Sequence, residues 1–327
     1  MRILLSLIFF LLPAVLWAAC SGTDLRMNLS PAERAGISAR VAALPYGEGN
    51  HWIARRGERR VHVIGTLHLN DPRMEPLTAR LAPVIEGADA LLIEADADAE
   101  AAFLETLARD PSLTLITEGP SLIDRLPAAD WQALAAKARR HGIPPWMAAK
   151  MQPWFLSVSM AVPPCLRAPG SAPEPGLDKR LEARARAAAV PVAALEDPLT
   201  LLALMASDPL DQQVRELRAM LALLGTDGDA FRTMTESYFD EQAAFFLELN
   251  RRDFLAQGTL PRPELEAMWQ KTLTGLTGRR NRAWLPVIEA TRGKRIVVAA
   301  GALHLPGENG LLNLLAQAGY SLKRAPF

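Results

Sequence analysis

The chain of 327 residues is poor in cysteine and has no excess of charge of either sign. Its two cysteines, Cys20 and Cys165, permit one disulfide at most, which excludes a disulfide-rich scaffold. The 36 basic residues balance the 36 acidic ones, and this balance argues against a nucleic-acid partner. Half of the residues are hydrophobic, so the composition predicts a sizeable core and argues against disorder.

The best-known catalytic signatures are also missing. The sequence has no pair of zinc-binding histidines at helical spacing, no phosphate-binding glycine loop and no Gly-x-Ser-x-Gly nucleophile elbow. Beyond the N-terminal segment, no apolar run is long enough to cross a membrane. Any catalytic or binding site must therefore be found in a less regular pattern.

The first 20 residues have the order of a secretory signal. Arg2 supplies a positive start, residues 3–17 form an apolar run, and the small residues Ala18 and Ala19 follow. Because this run is shorter than the roughly 18 to 20 residues of a comfortable membrane span, a cleaved signal peptide is favoured over the alternative, an uncleaved anchor helix. We therefore expect an exported protein, located in the periplasm or anchored by lipid in a bacterial envelope.

The cleavage site has two interpretations. Trp17-Ala18-Ala19-Cys20 resembles a bacterial lipobox, in which Cys20 carries the lipid, although Trp17 stands where an aliphatic residue is usual. Lipidation of Cys20 leaves Cys165 unpaired, and a lipid anchor would be the chain's only attachment to a membrane. Ordinary cleavage near Ala19 instead leaves both thiols free to pair. The lipoprotein interpretation is slightly preferred.

The rest of the chain predicts an α/β fold. Short aliphatic runs, each ended by a polar residue or glycine, are typical of buried parallel strands and occur at 61–64, 90–93, 190–195 and 295–300. Helical patterns separate them, at 79–86, 179–189 and 284–291 among others. Strands that alternate with helices predict a mainly parallel central sheet flanked by helices.

Two further segments, at about 111–153 and 199–275, are almost entirely helical in pattern. We interpret them as helical insertions that form a cap over the sheet. The predicted organisation is a signal peptide at 1–20, a linker at 21–50 and one α/β domain at 51–327.

Chemically active side chains follow every predicted strand. His68, Glu94, Glu196 and His304 come within a few residues of the four strand ends, in chain order. Ligands of open parallel sheets bind at this carboxyl edge, and two imidazoles with two carboxylates suit a divalent metal. Taken singly, each histidine is more often an ordinary loop residue, and each glutamate an N-cap or a solvated carboxylate. Their common edge favours a site.

Several motifs, in order, resemble those of the TraB/GumN/Tiki family, from about His51 to the C-terminus. The matching elements are the paired Gly-x-x-His motifs Gly65–His68 and Gly301–His304, Leu92-Ile93-Glu94, Gln152-Pro153-Trp154, Gly176-Leu177-Asp178, Ala194-Leu195-Glu196, Arg280-Asn281, Gly310-Leu311-Leu312 and Gly319-Tyr320. One departure is that Asp197-Pro198 follows Glu196, where the family usually has Thr and Gln.

The resemblance implies an α/β core related to the erythromycin esterase and haem-binding ChaN group, and a metal-dependent hydrolase with manganese or cobalt favoured and zinc an alternative. In this sequence His68, Glu94 and His304 are expected to hold the metal or activate its water. Arg280 and Asn281 are expected to stabilise an oxyanion or orient a substrate, a peptide or small molecule of unknown identity. Asp178 and Glu196 are expected to support the histidines. The alternatives are a non-catalytic haem- or metal-binding protein and an envelope assembly factor.

Overall fold

The computed structural model describes residues 22–161, 164, 175–221 and 228–327. The predicted signal peptide, the predicted lipidation site Cys20 and the second cysteine Cys165 lie outside the described residues. Within those ranges, no helix has the length and apolar character needed to span a bilayer.

A six-stranded mixed sheet forms the centre of the described part of the chain. Its strands are β1 (His51–Arg56), β2 (Arg59–Thr66), β3 (Ala90–Ile93), β4 (Val192–Ala194), β5 (Arg295–Gly301) and β6 (Ser321–Arg324). They lie in the order β4-β3-β5-β2-β1-β6. The neighbours from β4 to β2 are parallel, whereas β1 pairs antiparallel with both β2 and β6. The predicted mainly parallel α/β fold is confirmed, and all four predicted strands are present.

The two strands that the sequence did not predict, β1 and β6, lie on the antiparallel side of the sheet. β1 buries only His51 and Ala54, and β6 buries no residue. Because so few of their residues are buried, neither strand needs the aliphatic run that marked the others. Gly57, at φ +59°, makes the tight turn that joins β1 to β2.

The helices of the described residues surround this sheet. They are α1 (Pro31–Ala42), α2 (Met74–Glu86), α3 (Ala97–Arg109), α4 (Leu122–Arg125), α5 (Ala128–Arg140), α6 (Pro145–Ala148), α7 (Pro153–Ala161), α8 (Leu177–Ala187), α9 (Pro198–Met205), α10 (Leu210–Met220), α11 (Asp229–Phe239), α12 (Ala243–Gln257), α13 (Arg262–Leu273), α14 (Arg280–Ala290) and α15 (Leu311–Gln317). A π-helical turn, Thr274–Arg279, joins α13 to α14, and a 3₁₀ turn, Ala302–His304, follows β5.

Each face of the sheet has its own apolar core. Alternate residues of β5 point to opposite faces, as the period of a strand requires. Ile296 and Val298 join Trp284 of α14 and the leucines of α15 on one face. Val297 and Ala299 pack on the other face with the apolar residues of α2 and α8. Burial on both faces explains why the central strands are continuous aliphatic runs.

Helices occupy both segments that were predicted to be helical insertions. α4 to α7 pack with α10 around a separate cluster that includes Leu134, Met151, Leu156 and Leu217, away from the two cores of the sheet. The division of the chain into a signal, a linker and one domain stays a prediction.

The segment predicted to be a linker contains a packed helix. Ser30 and Glu33 form a reciprocal capping box at the start of α1, with Pro31 at its first position. Ile37 and Val41, four residues apart on one face of α1, pack against Phe245 and Leu249 of α12. Residues 31–42 are therefore part of the folded body and not only a connection.

Candidate functional site

The two Gly-x-x-His motifs lie side by side at the carboxyl edge of the sheet. β2 and β5 are parallel neighbours in a register that pairs Thr66 with Gly301, so the loops that carry His68 and His304 leave the sheet together. Glu94 follows β3, on the other side of β5, and Glu196 follows β4. The structure thus brings together all four strand-end residues that the sequence singled out.

His304 is held in one tautomer by Asn281. The Asn281 amide nitrogen donates to the backbone oxygens of His304 and Asn309, at 3.0 and 2.8 Å, which fixes the orientation of the amide. Its Oδ1 therefore accepts the hydrogen bond from His304 Nδ1, at 2.6 Å. Nδ1 carries the proton, and the lone pair of His304 is on Nε2, which faces the site.

The environment of His304 keeps its imidazole neutral. The ring stacks at 4.4 Å on Trp284, a fully buried residue of α14. Burial is the main cause that lowers the pKa of His304 to about 4; the Glu94 charge opposes the shift, and the cations Arg280 and His68 add to it. At neutral pH, His304 consequently offers an uncharged nitrogen lone pair.

His68 has the opposite character. Its side chain is 56% exposed, and Nδ1 lies 3.3 Å from Asp178 Oδ2. Burial would lower the pKa of His68, but the hydrogen bond to Asp178 and the charges of Asp178 and Glu94 outweigh it and raise the pKa to about 9. The close approach of two backbone segments brings His68 and Asp178 together. A Cβ on Gly176 would lie 2.3 Å from the Leu67 backbone oxygen, so only glycine lets the start of α8, which carries Asp178, approach the His68 loop.

Glu94 is the point on which both imidazoles converge. Its Oε1 lies 3.8 Å from His68 Nε2 and 3.8 Å from His304 Nε2, and accepts the Gly301 N–H at 2.6 Å. Burial by itself raises the pKa of Glu94, but the facing histidines, Arg280 and the Gly301 N–H hold that pKa at about 2. Because His304 is neutral at pH 7, the cations that stabilise the carboxylate there are His68 and Arg280.

Arg280 bridges the carboxylates from the first turn of α14. Its guanidinium donates to Glu94 Oε2 at 2.5 Å, to Glu196 Oε1 at 2.8 Å, and from Nη1 to His304 Nε2 at 3.1 Å. Glu196 also accepts the indole N–H of Trp284 at 3.0 Å. The result is a connected polar network in which a cation already lies beside His304 Nε2 and Glu94.

The donor atoms match those of a metal site in identity and orientation. Metal-binding histidines usually present one ring nitrogen to the ion while an oxygen holds the N–H of the other, and His68 and His304 both have this arrangement. As they stand, however, no three His, Cys, Asp or Glu side chains among the described residues are grouped closely enough to hold a metal ion. A metal that bound His304 would have to replace the Arg280 Nη1 bond to its Nε2.

The predicted supporting and substrate-binding residues lie in different surroundings. Asn281 is fully buried, and its amide bonds to His304 and Asn309. Asp178 contacts His68, whereas Glu196 contacts Arg280 and Trp284. Their roles stay predictions.

Trp284 is a site residue that the sequence reasoning missed. It stacks on His304 and donates to Glu196, although the sequence marked it only as the start of a helical stretch. Its spacing of four residues from Arg280 was the available signal, because residues at i and i+4 share a helix face.

The sequence is similar to one protein family and to two bacterial proteins. The model of the TraB/PrgY/gumN family matches residues 50–324. The uncharacterised protein YbaP of Escherichia coli (strain K12) is 26% identical over 273 residues, which cover 82% of this chain and 94% of that protein. YbaP of Shigella flexneri gives the same identity and coverage. Since the family model matches most of the chain, with both Gly-x-x-His motifs inside the matched range, the chain belongs to the TraB/PrgY/gumN family.

Proposed function

We propose that this protein is an exported, metal-dependent hydrolase that cleaves an amide or ester bond. The observation that carries the proposal is the convergence of two oriented imidazole Nε2 atoms on one carboxylate oxygen, Glu94 Oε1. Membership of the TraB/PrgY/gumN family is consistent with this proposal.

His68 Nε2, Glu94 and His304 Nε2 would hold a divalent ion such as manganese, cobalt or zinc. When bound, such an ion polarises a carbonyl oxygen and lowers the pKa of its water toward neutrality. His304 is already neutral, with its lone pair on Nε2, whereas His68 must first lose the proton that Asp178 and Glu94 stabilise.

Arg280 has two roles in this proposal. Without a metal, its guanidinium neutralises Glu94 and Glu196 and donates to His304 Nε2. Once His304 is engaged elsewhere, Nη1 is free to donate to the negative oxygen that develops during hydrolysis. Its bonds to Glu196, which Trp284 holds in turn, keep the guanidinium in place, so little reorganisation is needed.

The size of the cavity supports hydrolysis over haem binding. The cavity at this site measures about 230 Å³, below the roughly 300–1,000 Å³ of sites for drug-sized ligands. A haem is larger than most such ligands, whereas the end of a peptide or a small ester is not. A Soret band in haem-treated protein that disappears in His68→Ala would favour the haem-binding alternative.

The test is hydrolysis of a panel of peptides and esters by purified protein with added manganese, cobalt or zinc. We expect chelation to abolish turnover and added metal to restore it. His68→Ala and His304→Ala should each reduce turnover by at least about 100-fold. His141→Ala is the matched control, because His141 is buried outside this site. Equal turnover by the parent and both folded site variants would refute the proposal.

Export and lipid attachment are part of the same proposal. The order of charge, apolar run and small residues before Cys20 supports them. Expression in a bacterium supplied with labelled fatty acid should give a labelled protein in the envelope fraction, and Cys20→Ala should be unlabelled. An unlabelled parent in the periplasm would leave export correct and lipidation wrong.

A further inference from the structure

Charged and apolar residues line the cavity together. The carboxylates of Glu94, Glu100, Asp178 and Glu196 line it with the cations His68 and Arg280. The apolar lining residues are Ala95, Pro198 and Leu201, together with Ile93 and Ala299 of the buried core. At about 230 Å³, it has room for roughly seven to eight water volumes, enough for one side chain and the bond beside it.

The accessible apolar part of this lining comes from α9. α9 supplies Pro198 and Leu201, whereas α3 supplies Glu100. Leu202 is the buried residue of α9, and Leu201 is half-buried. Since Ile93 belongs to the buried core, Leu201 is the largest apolar side chain of the lining that a ligand can contact.

The charges in the cavity disfavour an anionic guest. Four carboxylates face two cations, and Arg280 already uses its donors on Glu94, Glu196 and His304. Glu100 is paired with Lys179 at 2.7 Å, and the basic residues that line the cavity are His68 and Arg280. An added carboxylate would lose its hydration and meet like charge.

We infer that the cavity is a specificity subsite for an uncharged, apolar side chain next to the scissile bond, with Leu201 as the residue that selects it. The existence of a scissile bond rests on the proposed function, whereas the selectivity for an apolar side chain is a property of binding alone. The preferred ligand is a peptide or acyl group with an aliphatic side chain, and an acidic side chain in the same position is rejected.

The test measures binding, with no need for turnover. N-acetyl-leucine methylamide and N-acetyl-aspartate methylamide share one backbone, and their affinities are compared by ligand-observed NMR on purified protein, with chelator and with manganese. We expect the leucine probe to bind at least about tenfold more tightly in both conditions. A protein that hydrolyses no substrate could still bind the leucine probe more tightly. The hydrolase proposal and the selectivity proposal can therefore be rejected independently.

Two variants locate the selectivity. Leu201→Arg should weaken the leucine probe by about tenfold or more and remove the preference. Leu104→Arg, the same change at an exposed position of α3 that does not line the cavity, should leave both affinities unchanged. If Leu201→Arg does not fold by circular dichroism, Leu201→Ala should weaken only the leucine probe, several-fold. Equal binding of the two probes, no binding of the leucine probe, or equal effects of the two arginine variants would overturn the inference.

Discussion

The two Gly-x-x-His motifs have nearly the same sequence and lie at the ends of two parallel neighbouring strands. Their histidines nevertheless differ in exposure, in contacts and in charge. The His304 side chain is 7% exposed, stacks on Trp284 and is neutral. The His68 side chain is 56% exposed, contacts Asp178 and is protonated at neutral pH. The motif delivers an imidazole to the edge of the sheet, and the helices packed around each loop decide its protonation state.

The asymmetry matters for the proposed metal site. A metal at Glu94 would meet one nitrogen ready to bind, on His304, and one that must first give up a proton, on His68. The partners differ accordingly: a neutral amide, Asn281, holds the neutral ring, and a carboxylate, Asp178, holds the charged one. Substituting the residues around each histidine one at a time tests whether these contacts set the difference between His68 and His304.

The largest effect is expected from Gly301, the glycine of the second motif. A Cβ on Gly301 would lie 3.2 Å from Glu94 Oε1 and 3.5 Å from His68 Nε2, inside the site. We expect Gly301→Ala to lower turnover by about 100-fold, because small displacements of reacting groups cost this much, while the protein stays folded.

Gly65→Ala is the matched comparison. A Cβ there would meet the Ala302 backbone at 3.1 Å and the Leu305 side chain at 3.3 Å, in the core and away from the reacting groups. It should cost about 1–3 kcal/mol of unfolding free energy with turnover largely kept, measured by urea denaturation and the peptide assay. Loss of turnover without loss of stability in Gly65→Ala would contradict this assignment.

Removing the amide that holds His304 should have the next largest effect. Asn281→Leu removes the acceptor for His304 Nδ1 and the donor to two backbone oxygens. We expect metal affinity or turnover to fall by about 10- to 100-fold, as for other residues that orient a ligand. Titration calorimetry with manganese measures the affinity. Asn313→Leu, whose amide donates only to the exposed Glu308 oxygen, is the control and should bind as the parent does.

Neutralising the partner of His68 should have a smaller and more local effect. Asp178→Asn keeps the shape of the side chain but removes the charge that helps to raise the pKa of His68 to about 9. That pKa should fall towards its ordinary value of 6.5, whereas the pKa of His304 should stay low. Ring-proton NMR, with His68→Gln to assign the signals, measures both. An unchanged pKa of His68 would show that Asp178 is not its main support.

The smallest effect is on stability. The folded-state pKa of His68, about 9, lies above its ordinary value of 6.5. Its contribution is therefore complete below pH 6.5 and lost as the pH rises through 9. Because the side chain is more than half exposed, we expect this loss to be only about 1 kcal/mol after solvent screening. Urea denaturation of protein treated with chelator, at a series of pH values between 6.5 and 9, measures this loss of stability. The loss should be absent in His68→Gln.

The sequence predicted the elements whose role requires a continuous apolar run. Of the four predicted strands, β2, β3 and β5 are largely buried, whereas β4 at the edge of the sheet has no buried residue. The polar endings of all four had to meet at one edge because these strands are parallel. His68, Glu94 and His304 were found in this way. The fate of Cys20 and the division into domains stay predictions.

What the sequence could not predict depends on contacts between distant segments. Nothing within the two motifs distinguishes the neutral His304 from the charged His68, since Trp284 and Asp178 come from other helices. Arg280 is 186 residues from Glu94, and its bond to His304 Nε2 follows only from the packing of α14. β1 and β6 have too few buried residues to show a strand pattern.

The most direct test of the central claim is the metal content of purified protein. Protein prepared without chelator and incubated with manganese, cobalt or zinc is compared by mass spectrometry with a His68→Ala/His304→Ala double variant that circular dichroism shows to be folded. The account predicts about one equivalent of metal in the parent and a negligible amount in the variant. Equal and negligible metal in both would contradict a metal centre at Glu94 and leave His68 and Arg280 as the cations beside that carboxylate.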